Sequence, residues 1–252
     1  MTATCTRGIA QKIKWIVLAL FILTISSSTG YATSSRTENF IIKAETQADA
    51  DEFSKVAEEK RKEVSKAWFG VEAAKWPTEC VINIKIADKV NAKTDLFYTP
   101  SGVSQEVHIE GPRNLITRTI IAHEITHIFL AHYFKRVVPK WFDEGGSILA
   151  EDKVEQNNFD GMVIRLLNNG EAYELNHLFS LRQYPKDIGT LYAEGYSVVK
   201  FLLTQGDRKK LLKFVEVGMN KGWEASCKDV YKFDSVKDLQ EKWIKNLKEG
   251  KK

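Results

Sequence analysis

The feature that most constrains this chain is His123-Glu124-Ile125-Thr126-His127, set inside an apolar run over residues 116–131 that reads as a helix. Histidines at i and i+4 lie on one helical face, one turn apart, where two imidazole nitrogens can grip one metal ion. Zinc suits imidazole nitrogen and takes three protein ligands plus an open position. Glu124 points to one side of the pair, placed to take a proton from a water there. Ile121, Ile125 and Ile128 lie opposite Ile116, Ile120 and Ala131, so the helix is apolar on both faces and is expected to be buried. Burying two histidines and a glutamate together without a metal is costly. A five-residue pattern also arises by chance, so the reading needs support from elsewhere in the chain.

That support follows at Trp141-Phe142-Asp143-Glu144-Gly145-Gly146, which runs on through Ser147-Ile148-Leu149-Ala150-Glu151. The stretch reads as a second short helix starting near Pro139, whose ring suits a first helical turn. A glutamate on it completes a His-His-Glu set. With these residues in view, the chain resembles a gluzincin metallopeptidase, close to the peptidase-MA-like branch related to aminopeptidase N. Members carry H-E-x-x-H and then a short helix reading W-x-x-E-G, whose Glu binds zinc. The resemblance implies Glu144 as third ligand beside His123 and His127. Glu151, seven residues on and near the same helical face, is the rival. A third match is Leu191-Tyr192-Ala193-Glu194-Gly195, similar to a Tyr-x-x-Gly element whose tyrosine donates to the oxyanion; it implies that role for Tyr192.

The resemblance covers residues 39–247 and implies an α+β, zincin-like (thermolysin-type) fold. Residues 33–134 would form a sheet plus the metal helix, and 135–252 a helical lobe. It implies Zn2+ as cofactor, a peptide or protein as substrate, and Glu124 as general base. In gluzincins the strand before the metal helix is a sheet edge that pairs with substrate backbone, so residues 103–109 are expected there. Two departures matter. No Gly-x-Met-Glu-Asn element precedes the metal helix, and Glu106 stands without that context; exopeptidase action is unsupported and an endopeptidase is favoured. The shorter gap to the third ligand fits the smaller MA-like relatives. A different class stays open: a zinc-stabilised protein of peptidase fold that binds a partner without cutting it. Glu124 and Tyr192 speak against it, because a binder needs neither. A metal-free structural module is the third possibility.

Residues 1–32 read as a signal peptide. Arg7, Lys12 and Lys14 give a positive start, residues 15–25 an apolar stretch too short for a membrane span, and Gly30-Tyr31-Ala32 a small-residue cleavage site. Export to the periplasm or the cell exterior is the expectation, with an uncleaved N-terminal anchor as the alternative. The segment is expected to lie outside the fold. Its removal leaves 34 basic against 33 acidic side chains, a balance that gives no reason to expect nucleic-acid or membrane-surface binding. Cys80 and Cys227 then remain, either as a disulfide or as two buried thiols.

The rest of the chain divides cleanly. Residues 40–44, 81–86, 96–99 and 103–109 read as strands, the last two flanking a turn at Pro100-Ser101-Gly102, and 48–68 as an amphipathic helix. From 159 onward the pattern is helical, over 159–167, 192–204, 208–217, 223–230 and 236–247, with an irregular stretch at 174–188. His108 is expected to be an exposed strand histidine, and His132 and His177 to be structural.

Overall fold

The computed structural model describes residues 2–7 and 33–250. The apolar stretch 15–25 and the cleavage point after Ala32 lie outside the described residues. The architecture is mixed α+β, with one six-stranded sheet followed by a run of helices.

The sheet is built from β1 (Thr2–Arg7), β2 (Thr33–Arg36), β3 (Phe40–Ala44), β4 (Cys80–Ile86), β5 (Asn91–Thr99) and β6 (Gly102–Gly111), in the order β1-β5-β6-β4-β3-β2. β3, β4 and β6 run parallel to one another, and antiparallel pairs close both sides. Alternation sets the faces. Phe40 and Ile42, Ile82 and Ile84, Ala92 and Leu96, and Val107 and Ile109 are buried. Their neighbours Glu106, His108 and Glu110 stay at the other, polar surface. α1 (Gln47–Phe69) connects the parallel strands β3 and β4, as such a crossover requires. Thr46 caps it by accepting from Asp49 N, and Gly70 ends it in the left-handed region.

Two expectations are corrected here. Residues 103–109 are not a sheet edge: β6 lies between β5 and β4, and its backbone is committed to both. The buried side chains Val107 and Ile109 place it in the middle of the sheet, while β5, which exposes Phe97, lies outward of it between β6 and β1. Nor do residues 1–32 lie wholly outside the fold, because Thr2–Arg7 pairs antiparallel with β5 from Phe97 to Ala92. A threonine-rich segment suits strand backbone, and the outer edge of β5 offers unpaired donors and acceptors.

A single rod follows the sheet: α2 (Arg113–Leu115), a π-helical turn (Ile116–Ile120) and α3 (Ile121–Phe134). Residues 121–131 of α3 are buried without a break, as a helix apolar on both faces demands. α3 packs between the sheet and α1 on one side and α4 (Lys140–Ile148) on the other. The remaining helices are α5 (Lys153–Asn169), α6 (Leu175–Ser180), α7 (Ile188–Thr204), α8 (Arg208–Lys221), α9 (Trp223–Ser226) and α10 (Val236–Glu249), with a second π-helical turn at Cys227–Tyr231. α10 is locked to α7 by Trp243 Nε1 donating to Ser197 Oγ at 2.9 Å. No helix among the described residues is long and apolar enough to cross a membrane.

Cys80 and Cys227 are separate buried thiols, one in the sheet and one in the C-terminal helices. Burial pushes both well above the ordinary thiol range, which makes them unreactive.

α4 and α7 approach each other backbone to backbone. A Cβ on Gly145 would meet the Gly195 carbonyl at 2.3 Å, and a Cβ on Gly195 the Trp141 carbonyl oxygen at 2.4 Å. These are backbone atoms and cannot step aside. Gly145→Ala is therefore expected to destabilise the fold by about 1–3 kcal/mol, the usual range for overpacking. Chemical denaturation of the variant beside wild type measures this.

Candidate metal centre

His123 and His127 project from one face of α3 with ring centroids 4.8 Å apart. α4 crosses α3 and brings a carboxylate to them. Glu144 Oε2 lies 3.4 Å from His123 Nε2 and 3.9 Å from His127 Nε2. One donor atom from each residue falls within 4.8 Å of the others, and all three side chains are buried. Among the described residues no other His, Cys, Asp or Glu group of this kind is found.

Each imidazole is held from behind. Glu151 Oε1 contacts His123 Nδ1 at 2.6 Å, and Asp143 Oδ1 contacts His127 Nδ1 at 2.7 Å. Ser147 Oγ adds a second contact to His127 Nδ1 at 3.2 Å. A carboxylate at Nδ1 fixes the proton there and leaves Nε2 as the donor facing inward. This separates Glu144 from its rival. α4 stops at Ile148, so Glu151 does not continue the helical face; two tight turns carry it to the far side of His123. Its backbone is pinned there by Gln156 Nε2 donating to Glu151 O at 2.9 Å. Next to it, Asp152 caps α5 and accepts from Arg118 Nη2 at 2.5 Å.

The charge balance points the same way. Glu124, Asp143, Glu144 and Glu151 are each no more than 5% exposed, around two imidazoles. Buried carboxylates in that excess require cations. Burial pulls the His123 imidazolium down, but Glu144 and Glu151 outweigh it and lift its pKa to about 10. Burial likewise lowers His127, and Asp143 and Glu144 raise it further than burial lowers it. A proton on each ring thus answers the same negative field that a metal ion would. His123 Nε2 is itself buried and makes no hydrogen bond among the described residues. Two imidazoles and a carboxylate with their donor atoms converging fit a metal ion.

Glu124 stands beside this set and is not part of it. It is 1% exposed, and Thr94 Oγ1 on β5 donates to its Oε2 at 2.6 Å. Burial raises its pKa above the ordinary carboxylate range, the direction that suits proton transfer near neutrality. Tyr192 is buried in α7, the helix whose Gly195 packs on α4. His132 bonds Gln105 at 2.9 Å and stacks on Trp76, a structural role as expected. His108 lies on the polar face of the sheet near Asp95 and Glu106.

Three residues at the centre carry no mark in the sequence that separates them from neighbours. Thr94 lies in a polar stretch that reads as loop before 96. Tyr184 lies in the irregular stretch 174–188, and its hydroxyl donates to Glu144 Oε1 at 2.6 Å. Lys140 precedes it in the chain and reaches the same hydroxyl at 3.2 Å. Asp143 had one available signal, its position beside Glu144 on a helix facing the histidines. No family model, curated protein or solved structure matches the chain.

Alanine at His123, His127 or Glu144 is expected to abolish binding of a divalent metal ion, measured by metal analysis of the purified protein. Asp143→Ala or Glu151→Ala is expected to weaken it about 10–100-fold, the usual loss when an orienting partner goes. Both imidazoles carry raised pKa values in the absence of metal, so binding must displace protons. Affinity should therefore rise as pH rises from 6 to 8, and calorimetry in buffers of different ionisation enthalpy should register proton release.

Proposed function

We propose that this chain is an exported zinc-dependent peptidase of zincin-like fold, acting on peptide or protein substrates as an endopeptidase. What carries the reading is Glu124, a buried carboxylate one residue from a metal ligand yet outside the ligand set, held by Thr94. A metal site that only stabilises a fold has no use for such a group. Zinc is the metal of choice because two imidazoles and one carboxylate are a donor set it favours, with a fourth position left open.

A bound zinc ion supplies a Lewis acid that polarises a carbonyl and brings the pKa of a water to roughly 7. The chain's own residues do the rest. His123, His127 and Glu144 would hold the ion, and Glu151 and Asp143 would keep the rings turned toward it. Glu124 accepts the proton of the attacking water and passes it to the leaving amine. Thr94 fixes one carboxylate oxygen of Glu124, which leaves the other for the proton. Tyr192 is the proposed donor to the oxyanion, a contribution worth roughly 3 kcal/mol where such donors have been removed. β5 carries Thr94 and borders this centre, so its outer edge takes the place in substrate pairing that residues 103–109 cannot fill. In a chain processed after Ala32, Thr2–Arg7 is gone and that edge is open.

Glu124→Gln is the decisive variant. The amide keeps the shape but cannot accept the proton, so zinc content should be unchanged and cleavage of a broad peptide library should fall roughly 100- to 10,000-fold. Tyr192→Phe should also keep its zinc and lose less. Equal cleavage by wild type and Glu124→Gln at matched zinc content would sink the mechanism. No cleavage by zinc-loaded wild type would leave a partner-binding protein as the reading.

The export reading has its own measurement. N-terminal sequencing of material recovered outside the cytoplasm is expected to begin at Thr33. Recovery of an intact 15–25 stretch in the membrane fraction would replace cleavage with anchoring.

A further inference from the structure

Tyr184 lies in the stretch 181–187 between α6 and α7, where no helix or strand fixes it. Pro185 behind it biases its backbone to extended conformations, and Asp187 opens α7 by accepting from Thr190 N. The loop thereby delivers a phenol to Glu144. The hydroxyl contacts Glu144 Oε1 at 2.6 Å and Lys140 Nζ at 3.2 Å, and the ammonium lies 4.4 Å from the tyrosine ring centroid.

The direction of this chain of bonds is fixed by chemistry. An ammonium has three donors and no acceptor, so Lys140 must donate to the Tyr184 oxygen. A phenol has a single proton, which is then committed to Glu144 Oε1. The bond is charge-assisted and short, as a hydroxyl on a carboxylate should be. Lys140 also lies 3.9 Å from Asp143 Oδ2, on the carboxylate that orients His127. It is 7% exposed and sits one turn before Glu144 on α4. One lysine thus stands behind the groups that orient two of the three metal donors.

We propose that Tyr184, backed by Lys140, is a positioning residue of the metal centre. It holds Glu144 Oε1 so that Oε2 faces the Nε2 atoms of His123 and His127. Removing the phenol takes away that hold on Oε1, and part of the site's affinity then goes into ordering the carboxylate. The inference rests on the metal reading above and adds to it a residue, Tyr184, that lies outside the H-E-x-x-H helix and the helix that carries Glu144.

The test compares full-length wild type, Tyr184→Phe, Lys140→Met and the double variant. Zinc affinity is read by competition with a chromophoric chelator, alongside the thermal midpoint of the metal-free protein and peptide hydrolysis at saturating zinc. Tyr184→Phe removes only the hydroxyl, so the metal-free midpoint should hold while zinc affinity falls about 10–100-fold. Lys140→Met should lose less. The double variant should lose less than the two single losses combined, because Lys140 acts in part through the Tyr184 hydroxyl. Unchanged zinc affinity in Tyr184→Phe overturns the proposal, and so do independent, additive losses. A fall in turnover with unchanged zinc affinity also overturns it, by making the phenol a group that acts on substrate. Wild type that binds no zinc fails the metal reading itself, before any variant is compared.

Discussion

Four carboxylates and two imidazoles are buried together where α3 meets α4, and no arrangement of the surrounding chain is stable unless that charge is satisfied. Each ring is used on both sides. Nδ1 takes Glu151 or Asp143, and Nε2 turns toward Glu144. Glu124 is satisfied separately, by a threonine from the sheet. The centre is therefore a junction to which β5, α3, α4 and the turn before α5 each contribute a necessary group.

The packing around the junction explains why those elements hold their places. α3 is buried from 121 to 131, polar side chains included, because it is enclosed by sheet, α1 and α4. Gly145 and Gly195 let α7 approach α4 at backbone contact, which seats the helix that carries Glu144. Gln156, Asp152 and Arg118 fix the turn that carries Glu151. None of these residues touches the converging donor atoms, yet each sets a distance within the centre.

Much of this was legible in the chain. The pentapeptide 123–127 announced the pair of histidines, and the glycines and tryptophan around Glu144 marked the second helix. The strands at 40–44 and 81–86 followed from alternation, and the helix read at 48–68 runs from Gln47 to Phe69. Other parts were not legible. Residues 103–109 look as suitable for an edge as for a central strand, because alternation reports faces and not neighbours. Thr94 shares the buried face of β5 with Ala92 and Leu96, but a hydroxyl between Lys93 and Asp95 does not announce that face. Tyr184 stands in a segment without periodicity, where nothing local indicates which way a side chain turns.

The sequence by itself determined that His123 and His127 share a face with Glu124 beside them, because one helical turn fixes those relations whatever surrounds it. It could not choose between Glu144 and Glu151, seven residues apart on a projected helix. The tertiary structure decided that, by ending α4 at Ile148 and turning the chain, so that one glutamate enters the centre and the other stands behind His123. It likewise brought Tyr184, forty residues along the chain from Glu144, to 2.6 Å from that carboxylate. Contacts within a turn are a property of backbone geometry; contacts across the chain depend on where every intervening element stops.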